Sequence, residues 1–188
     1  MIIRAHGFQG EFRADELVWR SPSWAAPDQP WPIPSTERRA AKHYARGIIT
    51  NLGLGIAVSV HGAEPWAGAG PDSSKVVQNL CTIMAGHSAV DIPAVVDIQG
   101  VPVAQYGFRF PNGDLLLAVW SDGIPTDDDQ GRLCTVRLPA LSTEKIVGVD
   151  VLNGFEQELV FQVSGGGIEV RDLSLKDYPI LIRIVGDG

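Results

Sequence analysis

The stretch RRAAKHYARGIITNLGLGIAVSVHG, residues 38–62, decides how this chain is read. Within it Ala41, Tyr44, Ala45, Ile48, Ile49 and Leu52 recur at spacings of three and four, which is one apolar face of an amphipathic helix. Ser35 stands ahead of that face as an N-cap, and Glu37 falls in the first turn, where a carboxylate meets the positive end of the helix dipole. Gly53 is placed to terminate the helix. GIAVSV (55–60) then runs apolar without alternation, the pattern of a strand covered on both faces, as in a parallel sheet.

Working outward, EFRADELV (11–18) alternates loosely and reads as a strand. A loop rich in Pro and Trp, SPSWAAPDQPWPIP (21–34), leads from it to the helix. On the other side HGAEPWAGAGPDS (61–73) forms a second such loop. Ser73 or Ser74 then caps a second helix with Val77, Leu80, Cys81 and Met84 on one face and Gly86 at its end. Strand, long loop and helix, twice over, is the rhythm of parallel βα units.

The remainder reads as all-β. Short apolar or alternating runs occur at 103–110, 114–121, 132–138, 144–152, 157–163, 167–173 and 179–185. Asn112-Gly113 and Asn153-Gly154 lie between strands as hairpin signals, because the tight turns they favour need positive φ at both central residues. Gly165, Gly166 and Gly167 fall among strands and read as a turn, not a phosphate cradle. The pattern predicts an antiparallel β-sandwich over 96–188, after an α/β segment over 1–95.

Composition divides at the same place. The chain has 188 residues and a net charge of −7. Residues 1–95 carry eight basic and eight acidic side chains, whereas 96–188 carry seven and fourteen. Four of the five tryptophans lie in the first part. An acidic chain without a basic face argues against nucleic acid and acidic membrane surfaces as partners. No apolar run approaches the roughly 20 residues of a membrane span. MIIRAHGFQGEF shows no signal peptide, so a soluble chain is expected with its compartment left open. Cys81 and Cys134 match no zinc or redox spacing, so neither a metal nor another cofactor is expected.

HGFQGEFRADELVWR (6–20), the stretch 38–62 and a sandwich ending LSLKDYPILIRI (173–184) together resemble the C-terminal portion of a retaining glycoside hydrolase. The group in question joins a (β/α)8 barrel to a small C-terminal β-sandwich. The resemblance implies that 11–18 and 55–60 are barrel strands seven and eight, so that 1–95 is a βαβα remnant of the barrel. It also places Glu16 at the nucleophile position on the end of strand seven. Trp19, Trp24, Trp31 and Trp66 then cluster on the loops at the carboxyl ends of the strands, where aromatic faces stack on sugar rings. His61 and Glu64 follow strand eight into the same mouth. The implied partner is a carbohydrate.

The resemblance also implies an incomplete apparatus. Strand four, which carries the acid/base carboxylate in this group, has no counterpart among the 188 residues. Retaining hydrolysis uses two carboxyl groups about 5–5.5 Å apart, one attacking and one protonating the leaving oxygen. The expectation is therefore a fragment acting on O-glycosidic bonds of a glycan or oligosaccharide, inactive alone, whose open barrel elements dock onto the sandwich, dimerise or are poorly ordered, unless a missing N-terminal barrel portion joins them. The alternative is a non-catalytic module, carbohydrate-binding or purely structural.

Each candidate also has a plainer reading. Asp15 or Glu16 can be a solvated strand-end charge, with the two on opposite faces of a regular strand. The tryptophans can pack loops or an interface, and Glu64 can be a loop charge. Gly86-His87-Ser88-Ala89-Val90 lacks the second glycine of a nucleophile elbow and ends a helix where the elbow starts one, so a serine hydrolase is rejected. Asp127, Asp128 and Asp129 form an acidic loop without calcium-loop spacing.

Overall fold

The computed structural model describes residues 7–19, 36–61 and 70–186. The N-terminal elements are strand β1 (Phe12–Leu17), helix α1 (Glu37–Gly53), strand β2 (Ile56–Val60) and helix α2 (Pro71–Ile83). β1 and β2 pair in parallel, as expected.

α1 buries Ala40, Ala41, Lys42, Tyr44, Ala45, Ile48 and Ile49. That arc is wider than the predicted stripe because α1 is packed from several sides, by β1 and β2, by α2, and by strands of the following sheet. Its cap is Thr36, whose hydroxyl oxygen accepts from Arg39 N at 3.2 Å. Ser35 lies outside the described residues. The helix continues through Gly53 to a cap at Leu54, and Gly55, at φ +71°, makes the left-handed exit assigned by sequence to Gly53.

α2 starts earlier than predicted. Gly70 caps it and Pro71 opens it, a position where the missing proline N–H costs nothing. Ser73 and Ser74 are therefore inside the helix. Its buried face is Ser73, Val76 and Leu80, with Met84 just beyond, while Cys81 is exposed. The face is turned relative to the expected one because the partner, α1, chooses which side is covered.

Ten antiparallel strands follow in two sheets. One has the order β3-β5-β6-β12-β8-β9, from β3 (Ser88–Val90), β5 (Val103–Arg109), β6 (Leu115–Ser121), β12 (Ile180–Ile184), β8 (Ile146–Asp150) and β9 (Phe155–Glu158). The other has the order β10-β11-β7-β4, from β10 (Gln162–Ser164), β11 (Gly167–Leu175), β7 (Arg132–Pro139) and β4 (Val95–Asp97). Leu116 to Trp120 on β6 are all buried, since the six-stranded sheet has the helices on one side and the four-stranded sheet on the other. Helices and sheets share one contiguous apolar core.

The structure departs from the sequence reading at several strands. The run 157–163 is not one strand but the crossing from β9 to β10, which belong to different sheets. β3 and β4, three residues each, are too short to show a period. Asn112-Gly113 takes positive φ only at Gly113, and Gly113 N donates to Phe110 O in a wider loop between β5 and β6. Asn153-Gly154 likewise takes positive φ only at the glycine. Gly165 and Gly166 both have positive φ and join β10 to β11 across Ser164 and Gly167, the two-residue turn of a tight hairpin.

The largest correction concerns GIAVSV. Ile56, Val58 and Val60 are half-buried, with Val58 and Val60 on the shared core, but Ser59 is exposed. Ala57 on the opposite face is half-buried too, and no residue of the strand is fully buried, so among the described residues the strand is not enclosed as its composition implied.

Candidate functional site

The parallel pair brings two chain ends to one mouth. Phe12, Arg13 and Ala14 stand opposite Ile56, Ala57 and Val58, and Leu17 stands opposite Val60. Asp15 and Glu16 therefore share the single opposing residue Ser59, which is a β-bulge. The bulge overrides strict alternation, and both carboxylates are exposed. His61 N donates to Leu17 O at 3.1 Å, so Glu16 and His61 flank the last rung of the pair. A shallow cavity of about 320 Å³ lies alongside, lined by Arg13, Asp15, Ala57, Val58 and Ser59. Arg13 pairs with Glu11 at 3.0 Å.

Trp19 leaves this mouth along α1. Its ring stacks on His43 at 5.5 Å between centroids with 8° between planes, and meets Tyr44 edge-on at 5.4 Å. Gly47 makes room for it: a Cβ there would lie 2.5 Å from Trp19 Cη2 and 3.0 Å from Leu17 Cδ2. Glycine inside a helix costs about 1 kcal/mol relative to alanine, so this close approach is the physical reason for Gly47. Tyr44 Oη donates to His61 O at 2.8 Å. Burial, with the Arg46 and Arg39 guanidinium groups, holds the His43 imidazole below its ordinary pKa against the opposing pull of Asp177. Trp24, Trp31, Glu64 and Trp66 lie outside the described residues.

A second polar cluster joins α1 to the sandwich. Lys42 Nζ lies 2.7 Å from Asp177 Oδ1 and donates to Thr126 O at 2.6 Å. Thr126 N donates to Asp177 Oδ2 at 2.7 Å. Arg46 donates to three backbone carbonyls, those of Asp177, Gly123 and Ser121. The acidic loop is part of this joint: Asp129 accepts from Gly131 N and Asp177 N, and Asp127 accepts from the Thr36 hydroxyl. These carboxylates serve the packing of helix on sandwich. Among the described residues no group of three or more His, Cys, Asp or Glu side chains is placed to hold a metal, and no helix is long and apolar enough to cross a membrane.

Sequence reasoning assigned Tyr44 to the helix core and did not single out His43 or Gly47 as part of the mouth. A glycine in the middle of an otherwise strong helix was the available signal. It marked a close approach without saying which residue approaches.

No protein-family model matches the chain, and no curated protein matches it. Among solved structures it is similar to two crystal structures of Thermotoga maritima alpha-fucosidase, one of them in complex with fucose. The identities are 13% and 14% and the TM-score is 0.44 for both, covering 77% of this chain and 34% of the fucosidase chain. The chain thus spans about a third of the length of the fucosidase chains it matches.

Proposed function

We propose that this chain is the C-terminal part of a retaining glycoside hydrolase that acts on O-glycosidic bonds of a glycan or oligosaccharide. Residues 1–95 are then the last two βα units of a (β/α)8 barrel, and 96–188 are its appended sandwich, with β3 and part of β4 contributed from before that boundary. Glu16 is the nucleophile, and Trp24, Trp31, His61, Glu64 and Trp66 line the sugar subsites with Trp19 at their helical margin. The acid/base carboxyl, in this reading, belongs to a strand outside the 188 residues, and the chain alone does not turn over substrate.

The observation that carries the reading is the position of Glu16. It sits exposed at a bulge on the carboxyl end of a parallel strand, beside the start of the loop after its neighbour. Ligand sites of βα folds lie at that end, and bulges re-aim side chains there. An attacking carboxylate needs both that placement and access to the anomeric carbon.

The test compares aryl-glycoside hydrolysis by this chain with that of the longer product of its genomic locus. Glu16→Gly in the longer protein is expected to lose turnover by about 10³-fold or more, and azide to restore it as the glycosyl azide. Full turnover by Glu16→Gln would overturn the assignment. A second reading, a sandwich that binds carbohydrate without turnover or only supports its partner segment, draws on the dense polar joint between α1 and the sandwich. Sugar binding lost in Trp24→Ala or Trp66→Ala but kept in Glu16→Gln favours it.

A further inference from the structure

We infer that Trp19 is a positioning residue: with Gly47 and Tyr44 of α1 it clamps the carboxyl ends of β1 and β2 and so fixes where Glu16 and His61 stand. Trp19 follows Glu16 by three residues and stands two past the end of β1. A bulge by itself loosens a strand end, because its extra residue is unpaired. The end of β1 is nevertheless held in two ways. Leu17 and Trp19 both press into the space left by the absent side chain of Gly47. The indole also lies flat on His43 and edge-on to Tyr44.

The end of β2 is held by the same turn of helix. Tyr44, buried on α1, reaches out with its hydroxyl to the carbonyl of His61, while the amide of His61 closes the last rung onto Leu17. His43, Tyr44 and Gly47 are successive contacts on one turn of α1. A rigid helix therefore sets the separation of the two strand ends. One face of the indole lies on His43 and its Cη2–Cζ3 edge on Gly47, so the ring is held by the helix and acts through the placement of Glu16.

This assignment rests on the proposed site only for the role of Glu16. Its test uses the 188-residue chain and needs no turnover. In the unsubstituted chain the ladder amides of Leu17 and His61 are expected to exchange slowly, and His43 Hε1 to be shifted upfield by the indole ring current. Gly47→Ala is expected to speed exchange at those amides about tenfold or more and to move His43 Hε1 toward its free-peptide position, while amides of β6 and β12 stay protected. Trp19→Leu should reproduce both effects, and adding Gly47→Ala to it should change little further. Tyr44→Phe should speed exchange at His61 alone.

If Gly47→Ala folds poorly, Trp19→Leu and Tyr44→Phe carry the test by the same readouts. Unchanged exchange and an unchanged His43 signal in Trp19→Leu overturn the inference. Turnover separates it from the broader proposal. In a longer, active protein Gly47→Ala should lower kcat with little change in KM, whereas a Glu16 variant with full activity removes the glycosidase reading and leaves the clamp standing.

Discussion

Replacing Asp177 by alanine is the sharpest available perturbation of this fold. The Lys42 side chain is 1% exposed and the Asp177 side chain 9%, so their 2.7 Å pair lies out of water. Truncating one member of a buried pair costs about 3–5 kcal/mol, because the other charge stays buried without its counterion. Two features set where in that range the loss falls. Thr126 N also loses its acceptor, a small addition because Thr126 is exposed and water can take the place of the carboxylate. Lys42 keeps the carbonyl of Thr126 at 2.6 Å and the ring of Tyr178 at 5.3 Å, and both partly stabilise the ammonium. A loss of about 4 kcal/mol results, a large share of the roughly 5–15 kcal/mol that holds a domain together.

The assay is urea and thermal unfolding followed by far-UV circular dichroism. At about 2–4 °C per kcal/mol for a chain of this size, Tm is expected to fall by about 8–16 °C. The midpoint should respond little to salt, since a buried pair is poorly screened. A double-mutant cycle with Lys42→Met isolates the pair: the double variant should lose less than the sum of the singles, by about 1–3 kcal/mol. A loss below about 1 kcal/mol for Asp177→Ala, or strict additivity in the cycle, would refute the reasoning.

Two further outcomes follow from other buried groups. Burial by itself would raise the Asp114 carboxyl, but the Gly186 amide, the Arg183 guanidinium and Asn112 outweigh it and hold its pKa below the ordinary carboxylate value. A depressed folded pKa gives stability that is present above about pH 4, the unfolded value, and is lost as pH falls through the folded value. Asp114→Asn should therefore remove part of the acid sensitivity in pH-dependent unfolding; an unaltered acid limb counts against the linkage. Burial pushes the Cys134 thiol up to about 11, whereas Cys81 is exposed. Thiol titration at pH 8 should label one cysteine in the native chain and both in denaturant, and rapid labelling of both in the native chain contradicts the burial of β7.

How far the sequence reaches is visible at particular residues. The stripe from Ala41 to Leu52 marked α1 because helical periodicity is local, recorded within a few residues of each position. The ends moved to Thr36 and Gly55, since a neighbouring hydroxyl can cap equally well and only backbone geometry selects the glycine that turns left-handed. The run 157–163 concealed a change of sheet because composition carries no record of which partner a strand finds. At the mouth, the sequence marked Glu16 as a strand-end carboxylate. The bulge that exposes it appeared only when β1 was set in register with β2.

The sequence by itself determined the parallel pairing of β1 and β2 around a helix, an antiparallel β region after it, and a turn within Gly165–Gly167, of which Gly167 proved to be the first residue of β11. All of these rest on short-range patterns of apolar spacing and permitted φ. Tertiary structure alone decided that Trp19 lies on Gly47, that Tyr44 holds His61, and that Lys42 meets Asp177. An aromatic ring or a charge announces that it needs a partner. Which partner it gets depends on how distant segments close on one another, and that closure is a property of the whole packed chain.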